Sequence, residues 1–160
     1  MPRRFFVSQL AAGDSQTLTG SEARHLKQVL RMEVGDSLVL FDGSGLEAEA
    51  EIAAFPPQDT TSPLSGSLAV ELRILERRPA RSELPFSLTI ASAVPKGDRL
   101  KWMVEKLTEL GVTRFIPLLT ARSVVDPREG KLERLKQTVI EACKQSGRSS
   151  LMEITPLQKW

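Results

Sequence analysis

The sequence predicts a two-domain α+β protein, a compact and mostly β module at the N-terminus followed by an α/β module. Three observations carry this. Leu68, Val70, Leu72 and Ile74 recur at a strict period of two, and Leu38, Leu40 and Phe41 run into the turn tripeptide Asp42-Gly43-Ser44. Residues 1–77 therefore read as short strands closing into a small barrel. The stretch Glu76 to Glu83 (ERRPARSE) is charged, contains Pro79 and lacks apolar periodicity, the texture of a connector, which is placed at 78–83. Across 84–160 strands alternate with helices, which argues for a parallel sheet with right-handed crossovers.

In chain order, Arg3 and Arg4 precede an apolar strand at Phe5 to Val7, and a polar turn follows. Thr19-Gly20-Ser21-Glu22 opens a short helix that Ser21 can cap, with Leu26, Val29 and Leu30 on its buried side and Arg31 at its end. Glu33 to Asp36 turns the chain into the Leu38–Phe41 strand, which pairs as a hairpin with a strand from Leu46 to Phe55. Pro56 to Gly66 is a proline- and threonine-rich loop, expected to be mobile, ahead of the Ser67–Glu76 strand. In the second module Phe86, Leu88, Ile90 and Ala93 form a strand that ends at Val94-Pro95. The helix after it, within Lys96 to Val112, organises the module. Leu100, Met103, Val104, Leu107 and Leu110 make one apolar stripe, Lys101, Glu105 and Glu109 share a line four residues apart, and Gly111 stops the helix. Phe115 to Leu119 is a second strand, Leu132, Leu135, Val139 and Ala142 mark a second helix, and Met152 to Ile154 is a third strand.

Composition limits the function classes. The chain has 160 residues, 41% of them hydrophobic and 26% charged, as in ordinary globular proteins. Its 22 basic against 20 acidic side chains give a net charge of +2, too small an excess to argue for nucleic acid by itself. Cations cluster instead, at Arg3 and Arg4, at Arg24, His25, Lys27 and Arg31, and at Arg73, Arg77, Arg78 and Arg81. One cysteine, Cys143, excludes an internal disulfide and suits a reducing compartment. No apolar run has the length to cross a bilayer and no signal-peptide core opens the chain, so the cytoplasm is the expected location.

In an open α/β sheet the functional crevice lies beyond the C-terminal ends of the strands. Three loops are expected to converge there, bringing Lys96, Arg122 and Arg148, a set that would attract phosphates, with Glu105, Glu109 and Glu141 as flanking carboxylates. No GxGxxG follows the first strand of the second module and no P-loop occurs. One histidine and one cysteine cannot furnish a zinc site, so no metal is expected. A Ser-His-Asp device would need His25, which lies in the other module; its ring either supports the helix there or touches RNA.

The residues HLKQVLR (25–31), FDG (41–43), KGDR (96–99), WMVEK (102–106), TELGV (108–112), RSVV (122–125) and EACKQSGR (141–148) resemble the bacterial 16S ribosomal RNA (uracil-N3) methyltransferases, the RsmE family, over essentially the whole chain. The resemblance implies an N-terminal PUA-like β-barrel that holds RNA and a C-terminal SPOUT domain, an α/β fold with a deep trefoil knot that binds S-adenosylmethionine and works as a homodimer. It also implies a further glycine-rich GPEGG loop and an LGxRILRxETA segment that form the knot and the donor pocket. Neither occurs here, so the chain is expected to be a C-terminally truncated member with an incomplete SPOUT domain and cofactor-binding motifs beyond Trp160. By this resemblance the substrate is 16S rRNA of the small ribosomal subunit. Arg122 and Arg148 are the catalytic candidates, with Glu105, Glu109 or Gln145 as orienting partners, and Arg3, Arg4, His25, Arg31 and Lys96 as RNA-binding candidates. An RNA-binding fragment without catalytic activity is the alternative. A flavodoxin-like small-molecule binder would leave the barrel unexplained and lacks a phosphate loop.

Overall fold

In a computed structural model, residues 3–57, 68–123 and 129–160 are described, the side chains of 129–133 excepted. Most of the 56–66 loop, Val124 and Val125, and the Leu132 side chain therefore lie outside the described residues. The chain divides into two units, Met1–Pro79 and Ala80–Trp160.

The first unit is a five-stranded sheet in the order β1-β3-β4-β5-β2, built from β1 (Arg4–Phe6), β2 (Ser15–Thr19), β3 (Ser37–Phe41), β4 (Leu46–Ala54) and β5 (Ala69–Pro79). The β3–β4 hairpin forms around Asp42, whose carboxylate accepts the Ser44 hydroxyl and amide and the Leu10 amide. Partial burial works against ionisation there, but those donors outweigh it and hold the Asp42 carboxyl below its ordinary range. Gly43 and Gly45 take φ values of 89° and 92°, which the turn requires and a side chain would resist. Bulges at Glu49/Ala50 and Ile52/Ala54 bend β4 against β5.

Between β2 and β3 runs α1 (Gly20–Arg24), continuing without a break into a π-turn, His25–Val29. Ala23 and Leu26 are fully buried and join Phe5, Leu38, Leu40, Ile52, Val70 and Leu72 in one core. Ala48 and Ala50 on β4 share that core at zero exposure. Two expectations are corrected here. Thr19 rather than Ser21 occupies the N-cap and makes no side-chain cap bond. Val29 is 65% exposed, because the i+5 bond from the Leu30 amide to the His25 carbonyl slips the helical register.

The second unit is a parallel sheet of β6 (Thr89–Ala93), β7 (Arg114–Leu119) and β8 (Glu153–Ile154), with β9 (Gln158–Lys159) pairing the far end of β7. Ile90, Phe115 and Ile154 are in register, with Phe115 completely buried. Two helices, α2 (Arg99–Glu109) and α3 (Glu129–Ser146), pack against each other. On α2 the buried residues are Leu100, Val104 and Thr108, and the Thr108 hydroxyl donates to the Val104 carbonyl. Met103 and Leu107 are only half-buried and Leu110 is 70% exposed, so the stripe is narrower than its sequence pattern. Phe86 is also exposed and lies outside β6. Val104→Ala should lower stability by about 2 kcal/mol, whereas Trp102→Ala on the exposed face should cost about 0.5 or less, as read by denaturant titration.

Candidate functional site

Two loops leave the C-terminal edge of the parallel sheet side by side, because Ala93 at the end of β6 is in register with Leu118 near the end of β7. After β6, Val94 turns inward and Lys96, Gly97 and Asp98 are exposed, with Gly97 at φ 68°. After β7 the chain closes a tight turn. The Ser123 amide donates to the Thr120 carbonyl and the Thr120 amide donates to the Ser123 hydroxyl, which leaves Arg122 exposed at the tip. Neither Lys96 nor Arg122 forms an ion pair with a described residue. This edge therefore offers two cations to an anionic ligand.

Arg148 does not join them. A helix-to-strand connection returns to the N-terminal edge of a parallel sheet, and the α3–β8 loop follows that rule. There the Arg148 side chain is 2% exposed. Its Nε and Nη2 donate to one Glu83 oxygen at 3.1 and 2.8 Å, and Nη1 donates to the Thr108 and Val112 carbonyls at 2.7 and 3.1 Å. The other Glu83 oxygen accepts the Ser149 and Ser150 amides. Partial burial works against the Glu83 charge, but the Arg148 guanidinium and the two amides prevail and hold the carboxyl below its ordinary range. The convergence of three cationic loops is thus corrected to two, and an RNA contact through Arg148 would require breaking this lock. Close by, Gly111 has φ 92°, and a Cβ there would lie 2.7 Å from Leu84, so the turn that offers its carbonyls to Arg148 admits no larger residue without rearrangement.

Glu105 and Glu109 lie along a 310 Å³ groove between α2 and α3, together with Lys101, Gln137, Glu141 and Gln145. Lys106 bonds both Glu105 and Glu109, and the bonds to Glu109 and then Glu105 raise its ammonium above the ordinary lysine range. Glu141 accepts from Gln137 and Lys144. These carboxylates are neutralised on their own helices rather than oriented toward Arg122.

On the first unit, Arg4 is buried in an ion pair with Glu47, which also accepts from Arg78. Arg3 donates to the Leu30 carbonyl at 2.9 Å. His25 is exposed with its ring edge-on to Phe5, and Arg31 is exposed in the left-handed conformation at φ 52°, uncommon for a residue with a side chain. The Lys27 ammonium sits 4.9 Å over the Phe55 ring, beside a groove that sequence reading missed. Its signal is weak in sequence: an aromatic followed by two prolines, 28 residues from the lysine it meets.

A β unit plugged by an irregular helix and joined to a parallel α/β unit with cations at its strand ends is a PUA-like domain followed by a SPOUT-type methyltransferase fold. Residues 82–160 match the RNA methyltransferase domain family and residues 18–55 the RNA methyltransferase PUA domain family. The chain is similar to proteins named ribosomal RNA small subunit methyltransferase E. It is 34% identical to the Bacillus subtilis protein of that name over 95% of this chain and 59% of the relative. Against the Synechocystis protein it is 36% identical over 84% of this chain and 41% of the relative. The crystal structure of the Neisseria gonorrhoeae methyltransferase E bound to S-adenosyl methionine is similar with a TM-score of 0.78 and 28% identity, covering 98% of this chain and 62% of that one. The chain thus spans about three fifths of these relatives or less.

Proposed function

We propose that this protein is an S-adenosylmethionine-dependent ribosomal RNA methyltransferase that modifies N3 of a uridine in 16S rRNA, acting in the cytoplasm as a homodimer. The observation that supports the reading most is the pair of family matches, one on each structural unit. S-adenosylmethionine, when bound, supplies the electrophilic methyl group. The described residues do not by themselves fit it. Lys96 and Arg122 suit an anion, whereas a sulfonium and an adenine ring call for an apolar cleft without cations beside the sulfur. We assign the donor pocket largely to the part of its relatives that this chain does not span.

The chain's own residues answer the other requirement. Loss of the N3 proton leaves negative charge spread over the uracil ring, and that charge is consumed as the N3–methyl bond forms. Arg122, exposed and without a carboxylate partner among the described residues, can stabilise that charge, with Lys96 on the adjacent loop holding a flanking phosphate. Arg122→Ala should lower the methylation rate about 100-fold while RNA affinity changes little. The assay maps N3-methyluridine as a stop to reverse transcription, since the modification blocks base pairing. A stop at another base, or an unchanged rate in the variant, overturns the assignment.

Docking of RNA falls to the first unit. Reversing Arg24 and Arg31 to Glu should reduce the slope of log affinity against log salt by about 0.7 to 0.9 for each phosphate that is no longer neutralised. A second reading, an RNA-binding module without methyl transfer, is favoured by the β unit having its own continuous core. Methyl transfer to RNA by the protein decides against it.

A further inference from the structure

We propose that the groove beside the π-turn of the first unit, lined by Lys27, Gln28, Phe55, Pro56, Pro57 and Leu68, takes one unpaired nucleotide of the RNA, with its base on the Phe55 ring and its phosphate on Lys27. The inference rests on the proposed RNA-directed function and assigns it a site.

Four features converge there. The groove is open and has a volume of 590 Å³, within the range of small-ligand sites. Its apolar wall is an aromatic ring, two prolines and Leu68, which suits a flat base face, while the Gln28 amide can both donate to and accept from a base edge. Lys27 is the charged residue among those described as lining it, and the segment that carries it, from Ala23 to Met32, also holds Arg24, His25 and Arg31 and no carboxylate. Finally, the segment that presents these groups is irregular twice over, with a π-turn at His25–Val29 and a left-handed Arg31, and such conformations concentrate at functional sites.

The ammonium of Lys27 rests 4.9 Å over the Phe55 ring. A phosphate binds an ammonium more strongly than an aromatic face does, so an arriving nucleotide draws Lys27 off the ring and exposes the face on which its base then stacks. The same lysine keeps the ring covered until a ligand carrying both a phosphate and a base is present. Stacking tolerates any base, so the groove holds the strand rather than selecting its sequence.

The experiment is a thermodynamic cycle with the full chain and a short single-stranded RNA from the small-subunit sequence, read by fluorescence anisotropy. Phe55→Ala should weaken binding about 5- to 100-fold without altering the salt slope. An abasic substitution at one RNA position should weaken wild-type binding by a similar factor, and the two together should be no worse than either. Lys27→Gln should lower the salt slope by about 0.7. Phe55 packs partly on the core, so Phe55→Trp, which preserves bulk and a stacking face, is the control for folding and should bind like wild type. Additive losses in the cycle, or RNA binding untouched by both Phe55→Ala and Lys27→Gln, overturn the groove assignment and leave the RNA-directed function standing. Failure of the wild-type chain to bind RNA at all overturns both.

Discussion

Arg148→Ala is expected to destabilise the α/β unit by about 3 to 5 kcal/mol, the cost of breaking a buried ion pair by removing one partner. The guanidinium joins three segments distant in sequence, namely Glu83 ahead of β6, the Thr108–Val112 turn, and its own α3–β8 loop. Its loss takes one donor each from the Thr108 and Val112 carbonyls and leaves the Glu83 carboxylate with the Ser149 and Ser150 amides but no cation. Arg148→Lys keeps the charge but not the planar fork, so it should recover only part of the loss. Peptide-resolved hydrogen exchange in denaturant reads this unit separately, and protection of β7 should fall while that of β4 is unchanged. An RNA-contacting Arg148 would show the reverse: intact β7 protection and a reduced salt slope in RNA binding.

The same lock gives a pH signature through Glu83. Its carboxyl is held below the ordinary range in the folded chain, so its stabilising contribution is complete above the unfolded value of about 4.3 and is lost as pH falls through the folded value. The stability difference between wild type and Glu83→Gln should therefore be largest at neutral pH and shrink below about pH 4. A difference that stays constant down through this window would mean that Glu83 is not the charge partner of Arg148.

Much of the architecture was legible because its elements obey simple periods. The β3–β4 hairpin, the β5 alternation and the β6-α2-β7-α3 succession all stand where apolar spacing and turn residues put them. Elements with a single inward residue were not legible. In β2 only Leu18 is buried, so Ser15–Thr19 carries no pattern and reads as a turn although it pairs with β5 along its length. The exposure of Val29 depends on a backbone bond that periodicity assumes away. Arg148 was misplaced for a different reason. Its position after a helix and before a strand was visible in sequence, and the connection rule alone assigns it to the edge opposite Lys96 and Arg122. Glu83, read as connector, and Glu47, read as one of several alternating acids, owe their roles to partners 65 and 43 residues away. Local sequence does not carry such pairings.

Glu47 sets the other large expectation. On the outer side of β4 it accepts from Arg4 at 3.1 Å and Arg78 at 3.0 Å, and the Arg4 guanidinium lies 5.1 Å over the Phe41 ring. Both side chains of the Arg4–Glu47 pair are below 10% exposed, so Glu47→Ala leaves a buried guanidinium without its carboxylate, at a cost of about 3 kcal/mol or more. Replacing the pair together, Arg4→Met with Glu47→Met, should restore most of that loss, because two apolar chains of similar reach fill the space without a stranded charge. This separates structural from RNA-directed arginines in the first unit. Arg4→Met alone should leave the salt slope of RNA binding as it is, whereas reversing exposed Arg24 and Arg31 lowers it. A slope lowered by close to one unit in Arg4→Met would mean that this guanidinium leaves Glu47 for a phosphate when RNA binds, and that the ion pair is a resting state rather than a fixed part of the fold.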